Sequence, residues 1–289
     1  MNKKRSSLLA FVVIGLTFVV LGVILLLLAF TIGRFDFSKI IAAIEFKTEI
    51  ITREFDGDVR EITLTSTIAK IELIPGDETR LEAENFSPDA LEISFVDGAL
   101  KIRDNEIGLS TIFDLQDIGQ TLKDTLYNNR KIKLYINDEL LEKLTIDSDL
   151  GEITMSGLDV GDLTLRCGTG SIAATNISSG KAVISSDTGS LRFVGCSFGN
   201  LLLSSDTGSV NYSGLLFGPC NIESGVGVVK LMLDGTSDDY YIVCEQGVGR
   251  IAVNGSLLVG SGKKLWGNSA AATRLNVSAG TGSIDITVK

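Results

Sequence analysis

The sequence predicts an all-β protein, built as a single-stranded β-solenoid of ~19-residue coils and preceded by one transmembrane α-helix. Three observations support this prediction. Glycines recur at a constant interval of 19 residues between positions 151 and 227. Apolar and polar residues alternate on both sides of each of these glycines, which is the period of a half-buried strand. An uncharged run of 25 residues, 8–32, is long enough to cross a bilayer as a helix.

The apolar run reads LLAFVVIGLTFVVLGVILLLLAFTI and has no polar face. A core helix normally keeps a polar stripe, and a cleaved signal peptide has a shorter apolar core of about 7–15 residues before a small-residue cleavage site. We therefore predict an uncleaved single-pass anchor over residues 8–33. Basic residues are concentrated in the tail 1–7, and the positive-inside bias favours a cytoplasmic tail and an extracytoplasmic C-terminal domain at the cell membrane.

Composition argues against several function classes. The 289 residues include no histidine, which excludes a Ser-His-Asp triad, a Cys-His dyad and a histidine-ligated zinc site. The formal net charge is −10, with 26 Lys+Arg against 36 Asp+Glu. A nucleic-acid partner requires a basic face, so none is predicted. Because three of the basic residues lie before the anchor, the part beyond it is more acidic than the whole chain.

The repeat occupies residues 142–289. Its first four segments read LTIDSDLGEITM, LTLRCGTGSIAA, AVISSDTGSLRF and LLLSSDTGSVNY. Two later intervals lengthen to 22 and 33 residues, which indicates insertions. Each unit is predicted to fold as strand, sharp turn, strand and connector, and stacking places like residues in columns about 4.8 Å apart. The glycines that mark the turns are Gly151, Gly170, Gly189, Gly208, Gly227, Gly249 and Gly282.

Residues 61–141 are predicted to form a first coil and an N-terminal cap, in which residues 77–141 break the period. The stretch 61–76 fits one coil if Ala69 takes the place of the turn glycine. A juxtamembrane stalk is predicted at 34–60. Within the cap the pattern predicts further local elements: a hairpin around Asp97-Gly98 in residues 91–103, an amphipathic helix at 112–126 and a strand at 131–136.

This order of segments resembles the DUF4097 family, bacterial proteins proposed to be adhesins. The resemblance covers about residues 45–289. The family often has proline where this chain has Asn137-Asp138, a departure that affects a turn only. The resemblance implies a β-solenoid surface domain with no shared active-site residues, and some members are linked to envelope-stress systems of Gram-positive bacteria. The motifs that carry it are REITLTSTIAKIELIPGD, DGALKI, KIKLYINDELLEKLTIDSDLGEITM and the SDTGS coils at 186–190 and 205–209.

Asp187 and Asp206 are the first candidate binding residues. Each lies two positions before a turn glycine, so the two carboxylates are predicted to stack in adjacent coils. A hard cation such as Ca²⁺ would relieve their repulsion, whereas the alternative is that each carboxylate bonds to its own turn. The turn interpretation is favoured, so no metal, cofactor or catalytic residue is assigned.

The insertion at 255–272 supplies the other candidates, Lys263, Lys264 and Trp266. Insertions into solenoid coils cluster on one face and often bind partners. An exposed tryptophan beside two lysines would suit a glycan or an anionic wall polymer. The favoured alternative is that the indole folds over the C-terminal coils as a cap.

The cysteines are predicted to be free thiols in the core, because no CxxC motif occurs and three of them fall in different inward columns. One cysteine is assigned to a connector. A bridge between Cys220 and Cys244 in adjacent coils stays open as an alternative. The four cysteines are Cys167, Cys196, Cys220 and Cys244.

These patterns predict a non-enzymatic, membrane-anchored cell-envelope protein whose solenoid binds, scaffolds or senses stress. Its expected partners are the bilayer, through residues 8–33, and a cell-wall glycan or an envelope protein. One alternative is a homo-oligomer formed by end-to-end stacking, because no segment follows the last coil to cover its edge, which stays open unless the loop at 255–272 folds over it. A polysaccharide-active enzyme is the other, although no carboxylate cluster accompanies Arg166, Arg192 or Arg250.

Overall fold

The computed structural model describes residues 50–86, 90–104, 130–139, 141–258 and 262–289. The predicted anchor, most of the predicted stalk and the predicted helix at 112–126 lie outside these residues. The described residues belong to one compact unit, Glu49–Lys289. They form an all-β structure of 18 strands with no α-helix in the described ranges. Among these residues, no helix has the length and apolar character needed to cross a membrane.

The strands fall into three groups along the chain. The N-terminal group is β1 (Ile50–Glu54), β2 (Glu61–Ile68), β3 (Lys70–Pro75), β4 (Arg80–Glu84), β5 (Leu91–Val96), β6 (Ala99–Asp104) and β7 (Lys131–Ile136). The central group is β8 (Lys143–Ser156), β9 (Asp159–Thr175), β10 (Ser178–Thr188), β11 (Leu191–Gly199), β12 (Leu202–Thr207), β13 (Val210–Phe217) and β14 (Pro219–Leu233). The C-terminal group is β15 (Tyr240–Val253), β16 (Ser256–Leu257), β17 (Lys264–Gly267) and β18 (Thr273–Val288).

The 19-residue register is confirmed in the central group. Its strands pair in parallel, so that Leu144 lies beside Leu163, and Leu163 beside Ala182. These three side chains are at most 1% exposed. Parallel pairing at this interval makes the central strands β-solenoid layers, and burial of each apolar side chain stabilises them by roughly 1.5–3 kcal/mol.

The turn glycines form a corner that only glycine fits. All seven have φ between +139° and +154°, a region that other residues avoid. Consecutive glycines also stack closely, because a Cβ on Gly170 would collide with the carbonyl oxygen of Gly151. Ala69 lies beneath Gly151 in the same column, which confirms its predicted place in the first coil.

The segment predicted as a connector is a third short β face. Ser178 pairs in parallel with Asp159 in the layer before and with Ser197 in the layer after. A second corner with φ from +54° to +66° leads into this face. Glycine and asparagine tolerate that left-handed conformation, and the residues at this corner are Gly157, Asn176 and Gly195.

The N-terminal end contains one layer that the period did not reveal. β2 and β3 pair on one side with β8, and on the other side with β6 and β7, all in parallel. β6 and β7 are therefore the outermost parallel layer. Antiparallel strands border this layer: β5 pairs with β6, β4 with β7 and β1 with β4. The predicted hairpin at Asp97-Gly98 is confirmed, and residues 50–54, assigned to the stalk from sequence, are strand β1 of this cap.

The C-terminal end differs from the expected order. β18 lies between β14 and β15, with Gly282 beside Gly227 on one side and Gly249 on the other. The expectation of an uncovered last coil is therefore wrong, because the last strand is internal. The outer layer is β15, which pairs antiparallel with β16 and β17. The two arrangements satisfy the same columns of apolar residues, so periodicity alone could not separate them.

Candidate binding groove

Both insertions into the repeat meet at one place on the domain surface. Residues 234–239 join β14 to β15, and residues 268–272 precede β18. The Asn268 amide donates a 2.9 Å hydrogen bond to the carbonyl of Tyr240, the first residue of β15, which ties the second loop to the strand that follows the first. Together with the end of β13 they enclose a groove of about 500 Å³. Insertions that converge on one face of a solenoid are typical of a binding site.

The floor of the groove is apolar and exposed. Leu215 and Phe217 are 43% and 42% exposed. In the preceding layer, Ser197 pairs with Leu215, and Gly199 pairs with Phe217. The phenylalanine ring lies over that glycine, since a Cβ at position 199 would collide with it. Outward apolar residues therefore replace serine and glycine in the layer that borders the two loops.

Two buried tyrosines hold the groove in shape. The Tyr212 hydroxyl donates a 2.7 Å hydrogen bond to the Leu215 carbonyl, and the Tyr240 hydroxyl donates a 2.6 Å bond to the Asp234 carbonyl. Burial raises the pKa of both phenols, so they remain protonated donors. Tyr212 also packs against the rings of Phe193 and Phe198, at centroid distances of 6.2 and 6.0 Å. The floor and one loop are thus fixed from the core.

The rim of the groove is acidic. Asp234, Asp238 and Asp239 line it, and within the described part of the chain no basic residue does. The side chain of Thr236 donates to the Asp239 carboxylate over 2.8 Å, and its backbone amide does so over 2.7 Å. These bonds hold the pKa of Asp239 below its ordinary value. The groove therefore presents an apolar surface bordered by carboxylates.

A second acidic cavity lies at the N-terminal end. It measures about 290 Å³ and is lined by six carboxylates. Its apolar residues face the core: Val59 is 4% exposed, and the Phe55 ring packs against Phe95 at 6.0 Å. Among the described residues, no three histidine, cysteine, aspartate or glutamate side chains are arranged to hold a metal ion. This cavity lacks the exposed apolar floor of the groove. Its carboxylates are Glu54, Asp56, Asp58, Asp77, Glu78 and Glu139.

Asp187 and Asp206 stack in adjacent layers, as their spacing predicts. Ser186 pairs with Ser205 just before them, and Thr188 pairs with Thr207 just after them. Both carboxylates are exposed. They lie at the glycine corner and do not line the groove.

The other predicted residues lie on the outer layer. Trp266 is in β17 opposite Ile242, and its side chain is partly buried against the core. The Lys263 ammonium lies 3.8 Å from the Glu245 carboxylate, with both side chains exposed. Lys264 is paired with Cys244 in the same ladder. The structure thus places the tryptophan on a capping strand, while the groove uses the other end of the insertion.

Sequence reasoning missed Leu215, Phe217 and the aspartates of residues 234–239. The available signal was the pair of apolar residues in LLFGP, at positions where the earlier coils have serine and glycine. This face was interpreted as a connector and not as a strand, so the sequence did not show which of its side chains point into the core and which point to solvent. Without that assignment, an exposed phenylalanine resembles a core residue.

The four cysteines are buried free thiols, as predicted. Cys196 lies on β11 in the core, 1% exposed, and not in a surface connector. Cys220 pairs with Leu275 and Cys244 with Val277, so β18 separates them and excludes the bridge that the sequence left open. Burial raises the pKa of all four thiols, that of Cys244 to about 11. They are therefore poor nucleophiles at neutral pH.

Comparison with known proteins places the domain in a family. The family model described as Toastrack DUF4097 matches residues 59–288. Solved structures with a similar fold include a proposed cell adhesion protein from Clostridium sporogenes, with 18% identity and a TM-score of 0.38, covering 84% of this chain and 100% of that one. Another is a proposed adhesin from Bacteroides fragilis, with 12% identity, a TM-score of 0.39 and coverage of 82% and 97%. A third is a proposed adhesin from Parabacteroides distasonis, with 13% identity, a TM-score of 0.37 and coverage of 82% and 98%.

No match was found among functionally curated proteins. The family model, in contrast, spans most of the sequence and agrees with the parallel β layers described above. The chain belongs to the Toastrack DUF4097 family.

Proposed function

We propose that this protein is a non-enzymatic, membrane-anchored protein of the cell envelope that binds a partner through the groove at the C-terminal end of its solenoid. The observation that carries the proposal is the exposed floor of Leu215 and Phe217 beneath two convergent loops. Exposed apolar residues framed by polar ones are typical of interaction sites.

Binding accounts for this site better than catalysis does. The groove offers carboxylates, backbone groups and apolar side chains, and the sequence contains no histidine. The polysaccharide-lyase alternative needs a basic residue that is free to act beside a carboxylate cluster. Arg250 instead lies 3.5 Å from Asp285 in an ion pair. Within the described part of the chain the groove is lined by acidic residues and by no basic residue, which suits recognition.

The anchor completes the proposal. Residues 8–33 would hold the protein in the bilayer, with the tail 1–7 in the cytoplasm and the β domain outside. A cell-wall glycan or an envelope protein would then lie within reach of the groove. The antiparallel strands at both ends of the stack favour this role over end-to-end assembly, because they interrupt the continuous parallel edge that a second copy would extend.

Adhesion of whole cells tests this function. Cells that produce the full-length protein are applied to immobilised cell envelopes, and the bound fraction is counted for wild type and for the double variant Leu215→Ser/Phe217→Ser. Leu202→Ser is the matched control, since Leu202 is 52% exposed and lies on β12, outside the groove. We expect the double variant to lose adhesion and the control to keep it. Equal adhesion by all three proteins would contradict the proposal.

A further inference from the structure

We infer that the groove takes a cationic, amphipathic peptide segment, in which a lysine or arginine is flanked by an apolar side chain. This inference rests on the proposed function and specifies the ligand of the same site. It follows from two features that occur together there and not in the N-terminal cavity, namely the exposed apolar floor and the carboxylate rim.

The rim selects the charge of the ligand. Three aspartates border the groove, and within the described ranges no lysine or arginine does. The nearest basic residue in sequence, Arg274, lies with its guanidinium carbon 5.8 Å from the centre of the Tyr241 ring. The chain as a whole has a formal net charge of −10. An anionic ligand would be repelled, and a cationic one would be attracted at long range and held at the rim.

The floor selects the apolar part of the ligand. A cation alone would leave the Leu215 side chain and the Phe217 ring in water, whereas an adjacent leucine or valine would cover them. The exposed ring also offers a face to a guanidinium or ammonium group. A cation–π contact of this kind occurs elsewhere in the domain, where the Arg80 guanidinium lies 4.3 Å from the centre of the Tyr135 ring.

The size of the groove favours a peptide over a small amine. Its volume of about 500 Å³ lies in the range of ligand sites and exceeds the space that one side chain needs. The aspartates lie on one loop, while small residues of the other loop, Ala270 to Ala272, also line the groove. An extended segment with alternating side chains would reach the rim and the floor at once.

Two substitutions separate local recognition from the general acidity of the domain. Asp234→Asn/Asp238→Asn removes two charges from the rim and leaves Asp239, which holds its own turn through Thr236. Asp56→Asn/Asp58→Asn removes the same charge from the N-terminal cavity. The two double variants have equal net charge, so a difference between them reports the site and not the overall field.

The probe is a labelled peptide of sequence Lys-Leu-Lys-Leu-Lys, titrated by fluorescence anisotropy against the full-length protein in zwitterionic detergent at 0.15 M salt. We expect saturable binding, weakened at least tenfold by Asp234→Asn/Asp238→Asn and by Phe217→Ser, and changed less than twofold by Asp56→Asn/Asp58→Asn. The peptides Glu-Leu-Glu-Leu-Glu and Lys-Ser-Lys-Ser-Lys should bind at least tenfold more weakly. Thermal melting of each variant verifies that it is folded.

Several outcomes would overturn the inference: no binding of the probe, equal loss in both charge variants, or equal affinity for the serine peptide. Failure here remains distinguishable from failure of the proposed function. If the Leu215/Phe217 variant abolishes cell adhesion while the peptide does not bind, the groove has another ligand and only the inference fails. If the groove variants change neither measurement, both proposals fail.

Discussion

The side-chain amide of Asn276 donates a 2.8 Å hydrogen bond to the side-chain oxygen of Asn221. The two residues are direct neighbours in β18 and β14. Their contact shows that β18 lies beside β14, in the position where the sequence period predicts β15. This strand order also brings the start of β18 close to the end of β13, where the Thr273 hydroxyl lies 3.5 Å from the Leu216 carbonyl. The loop before β18 therefore borders the groove because of this strand order.

The stacked glycine corner predicts a severe effect of one added methyl group. Gly189→Ala places a Cβ against the carbonyl oxygen of Gly170, at a φ of +151°. We expect the free energy of unfolding to fall by about 3 kcal/mol or more. Gly255→Ala is the control, because its φ is +76° with open space around it and should cost only about 1 kcal/mol. Urea denaturation followed by circular dichroism measures both, and equal losses would argue against the tight corner.

Two buried serines in one column predict opposite results. The Ser66 hydroxyl donates a 2.6 Å hydrogen bond to the buried Asp104 carboxylate, so Ser66→Ala should cost about 1–3 kcal/mol of stability. The Ser205 hydroxyl is buried, and no hydrogen-bond partner for it exists among the described residues. Ser205→Ala should therefore leave stability unchanged or raise it by up to about 1 kcal/mol. A similar loss in both variants, measured by thermal melting, would contradict this assignment.

Alkaline pH should weaken the fold through Cys244. Its pKa rises from 9.0 in the unfolded chain to about 11 in the buried site. Below pH 9 the thiol is neutral in both states and stability is unaffected. Between pH 9 and 11 only the unfolded thiol ionises, so the free energy of unfolding falls by about 2–3 kcal/mol from this group. Denaturation at several pH values should show a shallower decline for Cys244→Val, and an unchanged slope would refute the contribution.

Much of the fold follows from the sequence because glycine and apolar residues recur at fixed positions. The 19-residue period and the strand alternation are enough to predict the corner glycines, the buried columns and the position of Ala69 in the first coil. The order of the last layers does not follow, since Ile222, Val277 and Cys244 fit the same column equally well. Which strand lies next to β14 is decided by loop closure and by pairing that the period does not encode.

The groove was harder to predict for a related reason. The sequence offered the long insertion with Trp266 as a candidate binding segment, with a cap over the C-terminal coils as the favoured alternative, and the structure places Trp266 partly against the core. The exposed floor is set by the direction in which Phe217 points, and that direction depends on a β face recognised only from its strand pairing. The aspartates of the rim come from a loop that lengthens the interval between turns by only three residues.

Disulfide trapping tests the strand order β14–β18–β15, on which the groove depends. Asn221→Cys/Asn276→Cys joins paired neighbours, whereas Asn221→Cys/Val243→Cys joins strands that β18 separates by about 10 Å, which exceeds the reach of a disulfide. After mild oxidation of the folded protein, peptide mass mapping should find the 221–276 bridge and no 221–243 bridge. Formation of the 221–243 bridge in place of 221–276 would show that β15 stacks directly on β14, and would contradict both the fold and the groove.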